Sequence, residues 1–327
     1  MNVEKSEVVA LGELLIDFTD AGLSCQGNPQ YEANPGGAPC NVLAMLANLG
    51  TSCAFIGKVG KDNFGRQLRE SITKVGIDDS GLVEDEVVHT TLAFVHKLPN
   101  GDRDFSFYRT PGADMMLNED EVDDTLIKEC QVFHFGSLSM TSEICEAATK
   151  KAVMHAIEYG KFISFDPNLR ESLWESLDKA KEKIEYGISV CNMLKISDNE
   201  IEWLTGYSDY NIAIDSLMKK YPNIELLLLS LGKDGSMAVT GDKRVIVPAY
   251  IQKDTVETTG AGDTFCGCIV FHVLELIKAG RSLQSMTERE MAEMLKFANA
   301  AASIITTRKG ALMVMPMKEE IVGLIAE

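Results

Sequence analysis

Glu257-Thr258-Thr259-Gly260-Ala261-Gly262-Asp263-Thr264-Phe265 is followed by an apolar run, Cys266 to Ile277, that stops at Gly280. Two glycines around an alanine, then an aspartate and a long hydrophobic stretch, read as a flexible loop that turns directly into a buried helix. Such a junction aims unpaired backbone N–H groups and the positive end of the helix dipole at one point. Small residues let an anion approach that backbone closely. Asp263, in the first turn, sets a carboxylate beside the same point. An anion hole next to a base suits transfer of a negatively charged group onto a hydroxyl, that is, phosphoryl transfer. Its position in the first turn also predicts a low pKa for Asp263. The plainer alternative is that Asp263 only caps the helix and the glycines only make a turn.

The rest of the chain is an alternation of strands and helices. Val8 to Phe18 reads as a strand carrying Glu13 and Asp17 near its end, and Asp20 to Pro35 as a loop rich in Gly, Asn and Pro. Pro35-Gly36-Gly37-Ala38-Pro39 leads into a helix closed by Gly50, followed by a strand over 52–59 and an amphipathic helix over 63–75 ended by Gly76. Strand, helix, strand with glycine punctuation is the pattern of a parallel sheet wound with crossover helices. Residues 87–97 and 104–109 break it. They are extended segments joined by Leu98-Pro99-Asn100-Gly101-Asp102, an Asn-Gly hairpin signal, with no helix between them. With the loop after Asp17 they form a lid, which at a phosphoryl-transfer site keeps out water. Alternation then resumes through Glu225 to Ser230, whose four leucines suit a strand buried on both faces. The fold class is therefore α/β: one domain over 1–327 with a doubly wound, mostly parallel sheet flanked by helices. A small antiparallel β lid, built from about 14–35 and 87–111, is inserted in it.

Composition fits an ordinary globular chain of 327 residues, 45% hydrophobic and 24% charged. A formal charge of −18 argues against nucleic acid or anionic membrane as a partner, because phosphate would be repelled. No apolar run approaches the roughly 18 residues of a membrane span, and Met1 to Glu7 lacks a signal-peptide core. Eight scattered cysteines without a Cys-x-x-Cys pair read as reduced packing residues in the cytoplasm, and five dispersed histidines give no zinc spacing. Gly-x-x-x-x-Gly-Lys-Ser/Thr is absent, as are His-Arg-Asp and Asp-Phe-Gly, so neither a P-loop nor a protein-kinase design applies. Phe265 stands where a dinucleotide fingerprint needs its third glycine. Ligands of open α/β sheets bind beyond the carboxyl ends of the strands, and Asp17, Asp166 to Arg170, Ser197 with Glu200, and Gly232 to Gly235 cluster at such ends.

Pro35-Gly36-Gly37-Ala38-Pro39-Cys40-Asn41 and Thr258 to Phe265 together resemble the paired signatures of the ribokinase-like (PfkB) carbohydrate kinases, in order and separation, across almost the whole chain. Gly12 to Phe18, Phe107 to Asp114 and Asp166 to Arg170 resemble the fructokinase branch. The resemblance implies an ATP-dependent sugar kinase, fructose being the first-choice acceptor at its 6-hydroxyl. Kinases for 2-keto-3-deoxygluconate or ribose, and a non-catalytic sugar-binding relative, are the alternatives. It implies Asp263 as the base, with the backbone of Gly260, Ala261, Gly262 and Asp263 stabilising the phosphoryl group. Asp17, Gly36, Gly37 and Asn41 would hold sugar hydroxyls, with Asn168. Phe107 and Arg109 would arrive from the lid, and Arg170 would face phosphate or sugar. ATP would lie across Lys195, Ser230, Gly232 and Gly235, with adenine near Asn299. Mg²⁺ would ride on the phosphates, and Glu200 would reach it through water, although Ser197 replaces the family's Asn. Glu257 replaces the Asp of the family's monovalent-cation site, which leaves potassium activation open. A homodimer through the lid is a further expectation.

Overall fold

The computed structural model describes residues 5–97 and 103–326. β1 (Val8–Leu11) is wholly buried and lies inside the main sheet, between β8 and β4. The chain then leaves that sheet for β2 (Leu15–Leu23) and β3 (Pro29–Gly36), an antiparallel pair. It returns through α1 (Ala38–Asn48), β4 (Cys53–Gly60), α2 (Asn63–Lys74) and β5 (Ile77–Asp85). A second excursion supplies β6 (Leu92–Lys97) and β7 (Arg103–Tyr108). The turn expected over 98–102 lies outside the described residues.

From α3 (Asp124–Glu129) the alternation is regular: β8 (Val132–Gly136), α4 (Glu143–Glu158), β9 (Phe162–Asp166), α5 (Leu177–Val190) and β10 (Met193–Ser197). α6 (Asp198–Thr205), α7 (Tyr210–Lys220) and β11 (Leu226–Ser230) follow, then the edge hairpin β12 (Ser236–Thr240) and β13 (Lys243–Val247). α8 (Ala261–Lys278), α9 (Glu288–Ile305) and α10 (Lys318–Ala326) close the chain.

The main sheet has nine strands in the order β13-β12-β11-β10-β9-β8-β1-β4-β5. Its pairings are parallel except β11–β12 and β12–β13. The chain runs outward from β1 to β4 on one side and restarts at β8 on the other, so the order reverses beside β1. A crevice opens at the carboxyl ends of the strands at such a switch. Helices cover both faces, so the strands carry near-continuous apolar runs. Leu226 to Leu229 are fully buried, each contributing on the order of 1.5–3 kcal/mol by leaving water.

Three expectations change. Val8 to Phe18 is not one strand: it is divided between β1, which ends at Leu11 in the main sheet, and β2, which starts at Leu15 in the second sheet. The span 20–35 is not a loop but most of the β2–β3 hairpin, whose outer half is exposed and so shows no apolar alternation. The lid is a four-stranded sheet, β3-β2-β6-β7, antiparallel except for the β2–β6 pair. Phe18 stacks on Phe94 with ring centroids 4.8 Å apart and meets Phe64 of α2 edge-on at 5.7 Å, which fastens the lid to the body. α1 and α8 lie close together because Gly267 gives way to Met45: a Cβ there would sit 2.8 Å from the Met45 Cβ. That contact brings the two signature segments, more than 200 residues apart in sequence, to one place.

Candidate active site

α8 begins at the switch-point crevice with no side-chain cap. Gly260 is its N-cap at φ 75°, and a Cβ there would come within 2.6 Å of the Ala311 Cβ, so both conformation and space demand glycine. The Ala261 N–H turns back to the Thr258 carbonyl (3.2 Å), so it does not face an incoming anion. The N–H groups of Gly262 and Asp263 lie in the first turn, where a helix offers no acceptor. Of the backbone expected to form an anion hole, the Gly262 and Asp263 N–H groups are the ones the helix leaves available.

Asp263 lines a cleft of about 610 Å³ with Asp17, Gly37, Asn41, Phe107, Asn168 and Arg170. Asn41 Nδ2 donates to Asp263 Oδ2 at 2.8 Å, while Asn41 Oδ1 is buried with no protein partner among the described residues. Asn41 thus orients the carboxylate and keeps one acceptor for a hydroxyl donor in the cleft. Burial raises the Asp263 pKa, against the opposing pull of Asn41, Lys195 and Arg170. This corrects the low pKa expected from helix position: desolvation outweighs the dipole. A base whose pKa is raised takes a proton more readily in the reaction.

The opposite wall is the start of α1. Gly37 caps it at φ 127°, and a Cβ would meet the Glu13 carbonyl oxygen at 2.3 Å. Gly36 lies against the Asp17 carboxylate, where a Cβ would be 2.2 Å from Oδ2. Glu13, to which sequence reasoning gave no role, accepts the Ala38 N–H at 2.9 Å and lines the same cleft. The signal was there: an acidic residue between Gly12 and an apolar run, at the end of an interior strand.

Lys195 forms a buried ion pair with Asp166, Nζ to Oδ2 2.8 Å, and borders both the 610 Å³ cleft and an adjoining cavity of about 380 Å³. Desolvation alone would lower Lys195, yet Asp166 and Glu200 hold its pKa above the ordinary lysine range. Burial lifts Asp166 to about 6 against the pull of Lys195, so both are charged at neutral pH. Gly262, Arg170 and Ser230 border the 380 Å³ cavity too. A third cavity, about 460 Å³, is lined by Gly232, Tyr250, Thr258, Ala261, Asn299 and Ala302, and Thr258 borders the main cleft as well. Its small and apolar side chains leave room for a flat base.

Several expected ligands are engaged by bonds within the fold. Arg109 is buried away from the cleft lining, with Nη2 2.6 Å from Asp114 Oδ2, Nη1 on Thr141 and Nη2 also on the Leu138 carbonyl. A guanidinium so engaged braces the base of the lid rather than a sugar. Asn299 borders the 460 Å³ cavity, but its amide is spent on the Val247 and Pro248 carbonyls and on Ser236, so it shapes the wall. Gly235, at φ 111°, packs against the Val247 carbonyl and forms the turn into β12. Glu200 closes a capping box with Ser197 and accepts the Leu169 N–H at 2.7 Å, which holds the Asn168–Arg170 loop; Asn168 itself takes φ 44°. Glu257 is buried and accepts the Gly310 N–H at 2.7 Å.

An opening of about 400 Å³ lies at the other end of the sheet, at the amino ends of β8 to β11. Its Asn192 side chain is committed to Ile163 and Glu225, so it serves the sheet.

The profile of the pfkB family carbohydrate kinases matches residues 5–317. The chain belongs to that family. Fructokinase-1 of Zea mays is 42% identical over 321 residues, 97% of each chain. A fructokinase of Xylella fastidiosa with bound ATP superimposes with a TM-score of 0.88 at 29% identity, covering 98% of each chain. A double-mutant fructokinase of Vibrio cholerae O395 with fructose, ADP and potassium ion has a TM-score of 0.85 at 27% identity, covering 98% of this chain and 99% of that one. As a pfkB carbohydrate kinase the chain is an ATP-dependent sugar kinase. Among the described residues no helix is long and apolar enough to cross a membrane.

Proposed function

We propose that this protein phosphorylates free fructose on its 6-hydroxyl at the expense of ATP. The observation that carries the reading is the half-buried Asp263 carboxylate. It is held by Asn41, stands at the first turn of α8, and opens onto a cleft whose other walls mix polar and apolar side chains. Asp17, Asn41 and Asn168 offer short, rigid donors and acceptors to the hydroxyls of a small sugar. Phe107 would close the pocket from the lid side and exclude water. As the sugar oxygen bonds to the γ-phosphorus, the bond from that phosphorus to the β,γ-bridging oxygen breaks and the hydroxyl proton passes to Asp263. The Gly262 and Asp263 N–H groups, Lys195 and Arg170 would meet the charge on the phosphoryl oxygens.

ATP would span the three joined cavities, its phosphates beside Gly262, Lys195 and Ser230 and its base against Ala302 and Gly232. Mg²⁺ would be held chiefly by phosphate oxygens and water. The hard carboxylate of Glu200, bordering that cavity, fits a water-mediated contact with it. Glu257 beside the Gly310 turn is the place for a monovalent cation. We also assign the protein to a reducing cytoplasm, since seven of its eight cysteines are buried and none is paired. Two lids would pair into a homodimer through the face carrying Leu23, Tyr31 and Tyr108, all exposed.

The test is a coupled ADP-release assay over hexoses, pentoses, nucleosides and sugar acids, run in sodium and in potassium, with the product's phosphate position read by NMR. Fructose giving the highest kcat/KM and a 6-phosphate product supports the reading. A sugar acid or nucleoside outrunning fructose would replace the substrate, and equal rates in the two salts would remove the cation at Glu257.

A further inference from the structure

Glu13 is a buried acidic side chain of the cleft that the phosphoryl-transfer scheme leaves without a task. It follows the interior strand β1 and is 4% exposed. Helix α1 opposite has no side-chain cap and no acidic residue in its first turn, and Pro39 has no N–H to give. Glu13 fills that gap from outside the helix by accepting the Ala38 N–H at 2.9 Å. A carboxylate has about four acceptor positions, and the recorded partners, its own backbone N–H and that of Ala38, leave room for another donor. Glu13 borders both the 610 Å³ cleft and a small enclosed cavity of about 10 Å³.

We propose that ionised Glu13 is a sugar-binding, specificity-determining residue, accepting a hydroxyl of the acceptor sugar on the α1 wall of the cleft. The proposal rests on the sugar-kinase reading above and adds a substrate contact to it. A hydroxyl donating to a carboxylate makes a charge-assisted bond about twice as strong as one to a neutral acid. Sugar binding is therefore coupled to the charge on Glu13.

The surroundings set where that charge changes. Burial raises Glu13 to about 7, with the Ala38 N–H and Arg109 drawing it down and Asp114 pushing it up. From α1, Ala38 presents its N–H and the buried Cys40 thiol is itself raised by burial and by Glu13. Across the small cavity stand His134 and Asp166. His134 bonds Ser164 and is pushed down to about 3 by burial, so it is neutral; Asp166 is paired with Lys195. Asp17, Asp263, Lys195 and Arg170 face Glu13 around the cleft itself. Because the sugar prefers the ionised form, affinity rises as pH rises through about 7 and falls below it.

The experiment is calorimetric titration of fructose, without nucleotide, into wild type, Glu13→Gln and Glu13→Asp at about one pH unit below and above 7. A group with that midpoint is roughly one-tenth ionised at the lower pH and nine-tenths at the upper. Wild type is expected to bind fructose up to about tenfold more tightly at the higher pH. Glu13→Gln should be weak at both, with no pH slope, and Glu13→Asp should keep a slope. A wild type without a pH slope overturns the proposal by itself, even if Glu13→Gln does not fold; so does Glu13→Gln retaining the wild-type slope. In either case turnover of fructose by wild type leaves the kinase reading standing. A wild type that binds and phosphorylates no sugar overturns both.

Discussion

Asp263 illustrates how a single residue's chemistry depends on what surrounds it. In the sequence it is an acid in a helix's first turn, where the dipole favours its charged form. In the fold it is half-buried at the foot of a cleft, and desolvation raises its pKa despite Asn41 and two nearby cations. No local pattern reveals that burial, because it is created by α1 packing on α8. Arg109 shows the same limit in reverse. The sequence places it on the lid beside Phe107, and only the fold reveals its partner Asp114. Breaking a buried pair leaves an uncompensated charge, which costs about 3–5 kcal/mol. Arg109→Ala is therefore expected to lose stability of that order in urea unfolding, more than it loses fructose affinity. A variant of nearly wild-type stability with a raised KM would return Arg109 to the sugar.

At the scale of elements, the loop-to-helix junction was legible because its signals are local. Gly260, Ala261, Gly262 and Asp263 announce a turn, and the apolar run behind them announces a buried helix; α8 begins at Ala261 as that reading requires. α9 carries a local signal of the same kind, since Thr287 and Glu290 make a capping box at its start. Two strands escaped. β3 pairs with β2 in a lid whose outer half faces water, so Pro29 to Asn34 lacks the alternation that marks a half-buried strand. β5 is an acidic edge strand, Ile77 to Asp85, with too few buried positions to give a pattern. The junction itself yields an element-scale prediction. Gly260→Ala forces a side chain into a left-handed conformation, at about 1–3 kcal/mol, and against Ala311. The first turn of α8 must shift, so kcat should fall at least about tenfold, the order expected from misplaced groups. Unchanged steady-state kinetics would mean that the turn is not the anion hole.

At the scale of the whole molecule, a charge of −18 is compatible with the proposed phosphate site because the cleft carries its own donors. Lys195, Arg170 and the start of α8 converge there, and charge on the distant surface is screened within about 10 Å in ordinary salt. The lid is the other large-scale feature. Phe94 touches Phe18, Tyr31 and Tyr108, and this aromatic cluster reaches the surface, where Tyr108 is 65% and Leu23 70% exposed. Sedimentation of wild type should give twice the chain mass, and Leu23→Asp with Tyr108→Lys should give one. A wild type that is monomeric at high concentration would remove the lid pairing.

The account turns on Asp263 as the base beside the phosphoryl-binding turn. Its most direct test is the turnover of Asp263→Asn with fructose and ATP, measured alongside ATP binding by the same protein. We expect kcat to fall about a thousandfold, within the range of a lost general base, while ATP affinity stays within a few-fold of wild type. A variant that keeps more than about a tenth of wild-type turnover would contradict the account, because a lost general base costs at least about a hundredfold.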